Sequence, residues 1–329
     1  MRQAPGSQQG VALIIVLMAF ALGSILAAGM MSRQDLMIQR ASSYLTQSKA
    51  QSLALGAEAF GRQILYRDIK ESQNGNQNVD HRREQWARAA VAFPVDAGAI
   101  EAQINDLQGR LNLNSLVDQN GQINKLSRER FERLLVALDI RSLRVETLID
   151  WIDSDDQRTG AGGAEDGDYM AMDPSYRAAD RPFTHVSELR LMRGITDEDY
   201  QKLRPHVAAL PTRQSSINVN FASAPVVQSL HDRISRGQAE SVVAKTEENG
   251  FETVKKYLAQ PEFSGTGNIS KGLGVTTSYF EIAARVSVSG SVHRLVSLVQ
   301  RNQKGDVVTL SRDSGRTGLI TKERIQASE

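Results

Sequence analysis

Cysteine is absent from the chain, which excludes a disulfide framework and thiolate metal sites but leaves the compartment open. Aromatic residues make up only 5% of it, so nothing marks the ring-rich cleft that would accompany glycoside cleavage by paired carboxylates. A surplus of charge is missing too. With 39 Lys and Arg against 38 Asp and Glu, the formal net charge of +1 offers no broad attraction for nucleic acid or anionic lipid, and any charged site must be local. Walker, Rossmann and zinc patterns do not occur. The histidines, His81, His185, His206, His231 and His293, are scattered without metal-ligand or nucleophile-elbow spacing, and His185 in FTHVSEL reads as a helix-entry residue. None of these patterns supports catalysis.

What is present begins with an uncharged apolar run from Val11 to Met31, behind a polar leader that ends at Gly10. At ~1.5 Å per residue the run reaches ~30 Å, the thickness of a bilayer core, so it is a candidate membrane-spanning helix. It is longer than a secretory signal core, and the helical pattern continues through Arg33, Leu36, Ala41 and Leu45. Basic residues on both sides of the run, Arg2 and then Arg33 and Arg40, orient it only weakly. The 329 residues leave room for an anchor plus two or three modules.

The sequence QQGVALIIVL resembles the leader junction of type IV pilins and of the pseudopilins of type II secretion. That resemblance implies cleavage by a prepilin peptidase between Gly10 and Val11 and methylation of the new N-terminus. The helix would then serve first as membrane anchor and later as assembly seam. Most such proteins carry a glutamate five residues after the glycine, where this chain has Ile15. In the family that glutamate is thought to neutralise the N-terminal amine of the subunit ahead. Its loss resembles the K-type minor subunit and implies a place at the filament tip.

Beyond the anchor, apolar residues recur at Ala50, Leu53, Ala54, Ala57, Phe60, Ile64 and Leu65, which predicts a continuous helical stem to about Lys70. Residues 71–80 read as a loop, with an ordered domain restarting near Trp86. Alternation at Ile100, Ala102 and Ile104, a turn at Gln108-Gly109, then Leu111 and Leu113 predict one hairpin. Ile282, Ala284, Val286 and Val288, the Ser289-Gly290 turn, and Val292, Val296 and Leu298 predict a second. Between them the period is helical. Ser127 is expected to cap a helix bearing Phe131, Leu134, Leu135 and Leu138, with Leu126 and Phe131 as a staple; Val145, Leu148, Ile149 and Ile152 form another face, and Thr196 caps a third helix. RLNLNSL (110–116) is echoed by SINVNFA (216–222), each reading as a strand-to-helix corner in which Asn serves the turn. The second copy, running on into GQAESVVAKTEENGFETVKKYL, also resembles the helix-hairpin-helix modules of competence proteins, although HDRISRGQ lacks their Gly-x-Gly hairpin. The fold class expected is α+β: a pilin-like N-terminal helix on an antiparallel sheet, with a large inserted α-helical domain.

The one candidate chemical site is acidic. Asp150, Asp153, Asp155, Asp156, Glu165, Asp166, Asp168, Asp173 and Asp180 fall in one segment opposed by Arg158 and Arg177, and a divalent cation would relieve their repulsion. Calcium suits a flexible oxygen-rich loop, but an EF-hand is excluded because its glycine would fall on Arg158 and its closing glutamate on Ala164. A solvated acidic loop is the plainer alternative, opposed by Trp151, Ile152, Tyr169, Met170, Met172 and Tyr176 around it.

The order DWIDSDD, GAEDGDYMAMDPSYR, FTHVSELRLMRGIT resembles the helical domain of the K-type minor pseudopilin of type II secretion. The resemblance implies calcium, one or two ions, on Asp153, Asp155, Glu165, Asp166 and Asp168. It also implies a single-pass inner-membrane protein with a periplasmic globular part. The implied partners are the I-, J- and H-type minor pseudopilins and the major pseudopilin, with no nucleic acid. The expected segments are a leader (1–10), an assembly helix (11–32), stem and first strands (33–115), helical domain (116–212), hairpin-like segment (213–270), C-terminal strands (271–315) and a flexible tail (316–329). The alternatives are a competence or type IV minor pilin touching DNA through 213–270, and an anchored calcium-dependent hydrolase.

Overall fold

The computed structural model describes residues 9–74, 78–96, 98–316 and 320–326. The expected leader lies outside these except for Gln9 and Gly10, which already belong to α1 (Gln9–Asn74). After α1 come the one-turn α2 (Gln85–Arg88), β1 (Ala90–Val95), β2 (Gly98–Asp106) and the short β3 (Leu111–Asn112). Helices α3 (Lys125–Ala137), α4 (Val145–Asp150), α5 (Asp166–Met170) and α6 (Asp197–Leu203) follow, then the short β4 (Val207–Ala208) and β5 (Ile217–Asn218). The remaining elements are α7 (Ala224–Gln228), α8 (Arg236–Glu248), α9 (Val254–Leu258), β6 (Leu273–Gly274), β7 (Tyr279–Val288), β8 (Ser291–Arg301), β9 (Val307–Asp313) and β10 (Arg324–Gln326).

The N-terminal half of α1 stands clear of the protein: the large apolar side chains from Val11 to Met31 are between 59% and 75% exposed. Among the described residues this is the one helix long and apolar enough to cross a membrane. Farther along, Ala50, Ala54, Ala57, Leu65 and Ile69 form a buried stripe at helical spacing. The stripe lies on a six-stranded sheet of order β10-β1-β2-β7-β8-β9. At Gly61 a Cβ would lie 3.0 Å from Ile282, so helix and sheet approach closely there. Glu58 ties the same helix to the far strands. It is buried and accepts from Ser297 (2.6 Å), Thr309 (2.7 Å) and both forks of Arg312 (2.6 and 2.9 Å). Burial opposes its charge, but these bonds prevail and hold its pKa down at about 2.

The Ser289-Gly290 turn joins β7 to β8 as expected, both residues taking positive φ (49° and 79°), which matches the twist of a tight hairpin. The other expected hairpin is displaced. β2 pairs with β1 and β7, whereas Leu111–Asn112 leaves the sheet to pair in parallel with Val207–Ala208. The expected Ser127 cap shifts by one turn to Asn124, whose side chain accepts from the Ser127 amide. Thr196 caps α6 through Asp199 N, and His185 caps the short turn at 186–191 through Ser187 N. Ahead of Trp86, Asp80 is already buried and its amide donates to Val275 O (2.9 Å). The expected flexible tail also needs correction: Arg324–Gln326 pairs in parallel with Ala90–Ala92, and the Thr321 and Lys322 amides both donate to Gln103 Oε1.

The segment between β2 and β7 packs as one unit. A continuous core runs from Leu111 to Phe263, so the boundary expected near residue 212 does not separate two cores. Its two halves do echo each other. Leu111–Asn112 pairs with β4 and Ile217–Asn218 with β6, both in parallel. The second asparagine of each corner then grips a distant backbone like a paired strand: Asn114 bonds Phe183 N and O (2.7 and 2.9 Å), and Asn220 bonds Phe251 N and O (2.8 and 3.1 Å). Both ends of the insertion are clasped by Gln108, which donates to Ser216 O and accepts from Ser278 N and Tyr279 N. Arg301 completes the junction, pairing with Asp68 (2.7 Å) and Asp80 and reaching Thr277 O.

Candidate metal centre

The acidic segment starts where α4 ends. Leu148, Ile149 and Ile152 anchor it in the core, which turns Asp150 and Asp153 toward the following loop. The loop returns through Gly163, where a Cβ would collide with the Asp150 carboxylate, so only glycine permits the approach. It then enters α5 with Glu165 at the N-cap, and the Asp168 carboxylate accepts from Glu165 N (3.1 Å). Trp151 packs edge-on against the buried Tyr169 with ring centroids 5.2 Å apart, closing the base of the loop.

Three neighbouring carboxylates lack a full set of donors and act on one another through charge. Asp150 Oδ1 accepts from Thr159 N (2.9 Å), but its Oδ2 is buried and unpartnered, as are Asp153 Oδ1 and both oxygens of Glu165. Burial is the main reason their charge is disfavoured, with mutual repulsion adding to it. Asp153 is pushed up to about 7 and Glu165 to about 8, while Asp150 also rises. Asp155 and Asp180 act on Asp153 and Glu165 through charge.

Asp155 is exposed and accepts from Gln157 N (2.9 Å). Two other residues named from the sequence are occupied by cations of the chain. Asp168 bridges Arg158 (2.7 Å) and Arg193 (2.8 Å), and Asp166 accepts from Ala178 N (2.9 Å) with Arg177 at 3.6 Å. Unpartnered buried oxygens are thus shared by Asp153, Glu165 and Asp150, the last of which the sequence places in the acidic run but not among the ligands. Its position among the apolar residues of α4 was the available signal. Arg193, outside the run, had no signal at all.

Buried carboxylate oxygens lacking donors fit a hard divalent cation such as calcium, whose charge would replace the missing hydrogen bonds. Among the described residues, the acidic group whose oxygens all lie within 4.8 Å of one another is a different one, Asp68, Asp80 and Glu84. There Arg301 already supplies the positive charge, and Glu84, pushed up to about 9 by burial and by Asp68 and Asp80, is protonated at neutral pH.

Residues 109–212 and 217–276 match two family models, both described as type II secretion system (T2SS), protein K. The chain is 39% identical over 321 residues to type II secretion system protein K of Pseudomonas aeruginosa, covering 95% of this chain and 94% of that protein. The chain belongs to the type II secretion system protein K family. The Klebsiella pneumoniae member is 32% identical over 308 residues, covering 89% and 93%. Among solved structures, the chain resembles one from the crystal structure of the GspK-GspI-GspJ complex of enterotoxigenic Escherichia coli. The TM-score is 0.75 at 26% identity, covering 84% of this chain and 100% of that one. As a member of the protein K family it is a minor pseudopilin of the type II secretion system, a structural component of that machine.

Proposed function

We propose that this minor pseudopilin occupies the tip of the pseudopilus in complex with I- and J-type subunits, starting or capping an assembly that exports folded proteins from the periplasm. The observation that carries this reading is its likeness, over 84% of its length, to a chain of the GspK-GspI-GspJ complex. The subunit reaches the tip from the inner membrane, after prepilin peptidase cuts between Gly10 and Val11 and the new N-terminus is methylated. The bare apolar half of α1 supports such a double life, since side chains with no partner in the monomer need lipid first and neighbouring helices later. Ile15, 61% exposed, presents no charge to a subunit ahead. The insertion widens the subunit and blocks addition above it. An H-type subunit joins this tip to the major pseudopilin below.

The acidic loop holds calcium through Asp150, Asp153 and Glu165, with Asp155 and Asp180 adding charge. When bound, the ion supplies positive charge that lets the loop close on Trp151 and Tyr169. Asp166 and Asp168, with their arginines, fix the second arm of the loop. The test uses the full chain in detergent. Calcium should raise its melting temperature over a chelator control and shift Trp151 emission, and Asp150→Asn should abolish both changes. No difference between calcium and chelator would sink the metal reading. Failure to co-purify with I- and J-type partners would sink the tip assignment independently.

A further inference from the structure

A cleft of about 670 Å³, lined by none of the acidic-loop residues, opens where the pilin-like sheet meets the helical unit. Its wall carries Arg82, Arg83, Arg88, Arg110 and Lys322 against two carboxylates, Asp106 and Glu247. None of the five basic side chains forms an ion pair within 4.0 Å among the described residues, whereas Arg301 and Arg312 elsewhere are paired with the buried Asp80 and Glu58. Arg82 donates Nη2 to Phe221 O (2.8 Å) while its Nε is buried without a partner. Arg83 donates to Glu248 O and Asn249 Oδ1, and Lys322 donates to Ile104 O and lies over the Trp86 ring at 6.0 Å; Arg88 and Arg110 have no side-chain hydrogen bond among the described residues. The surplus charge is felt by its neighbours. His206, bonded to Ser223 Oγ at 2.7 Å, is lowered to about 4 by burial and by Arg110. Burial and Arg82 lower Lys322 to about 8 despite Asp106.

We propose that this cleft binds an acidic peptide segment of a protein partner, its carboxylates taken by the guanidinium forks of Arg82, Arg83, Arg88 and Arg110. Planar forks with free donors match carboxylates in pairs of parallel bonds. A compact phosphate ligand fits less well. The glycine in the wall, Gly109, has its amide committed to Asp106 and its Cα face closed by Phe221, so no main-chain cradle is open. Asp106 and Glu247 would repel dense negative charge, whereas a peptide can turn its own amide donors toward them. The near-neutral chain supplies no long-range field, so recognition is local and falls with salt.

The test measures fluorescence anisotropy of a short labelled peptide of alternating glutamate and serine on the full chain in detergent. Binding should appear, weaken with added salt, and drop at least about tenfold when glutamine replaces glutamate. Arg88→Glu with Arg110→Gln should cause a similar drop, and Arg88→Glu alone should weaken binding without lowering the melting temperature, because exposed Arg88 has no hydrogen bond or ion pair among the described residues whereas Arg110 acts on Asp106 and Glu281 through charge. Equal binding of the glutamine peptide, unchanged binding to the double variant, or no binding at all would overturn the proposal. Displacement of the peptide by tripolyphosphate at lower concentration than the peptide itself requires would reassign the cleft to phosphate and overturn it too.

Discussion

Individual side chains divide into those that find a partner and those held without one. Arg301 is 2% exposed and joins Asp68, Asp80 and Thr277 across the seam between sheet and insertion. Removing it strips the partner from buried Asp80 and half-buried Asp68, so Arg301→Ala should cost about 3–5 kcal/mol in denaturant unfolding. Asp153 and Glu165 are the contrary case. Their pKa values, raised to about 7 and about 8, mean that an entering calcium ion must displace protons. Calcium affinity measured by titration should therefore strengthen as pH rises from about 6 to about 8, with proton release detectable by buffer-dependent heats. Gly163→Ala should weaken binding as well, since a methyl group there pushes Asp150 aside.

Elements repeat this division between local and distant partners. Helix faces such as Val145, Leu148, Ile149 and Ile152, the Thr196 cap and the Ser289-Gly290 turn were readable because each depends on neighbours a few residues away. The Asn124 cap was missed because Asn and Ser are equally good caps and only the folded turn selects between them. β3 was misassigned to a hairpin because its partner, β4, lies far along the chain and leaves no local trace. The paired asparagines explain the echo that the sequence showed only faintly. Asn114→Ala and Asn220→Ala should each cost about 1–3 kcal/mol, since each strands a backbone amide and carbonyl of Phe183 or Phe251. Equal stability of either variant in thermal melts would contradict that role.

For the protein as an assembled object, stability should follow two opposing pH trends. Glu58, held at about 2 against an ordinary value of 4.5, docks α1 on the sheet; its contribution is full above about 4.5 and fades as pH falls toward 2. Asp153 and Glu165 shift upward, so without metal their contribution is present below their ordinary values and is lost as pH climbs toward 7 and 8. Melting temperature in chelator should peak in mildly acidic solution and decline toward pH 8, and calcium should remove the alkaline decline. The anchor, stem, class of fold and acidic run could all be read from the chain, because uncharged length, helical period and charge density are properties of contiguous residues. Which acids meet, which arginines already neutralise Asp166 and Asp168, and how a polar tail becomes an edge strand could not. Those outcomes depend on burial and on partners brought from distant segments, and burial, more than residue type, sets the free energy of a charge.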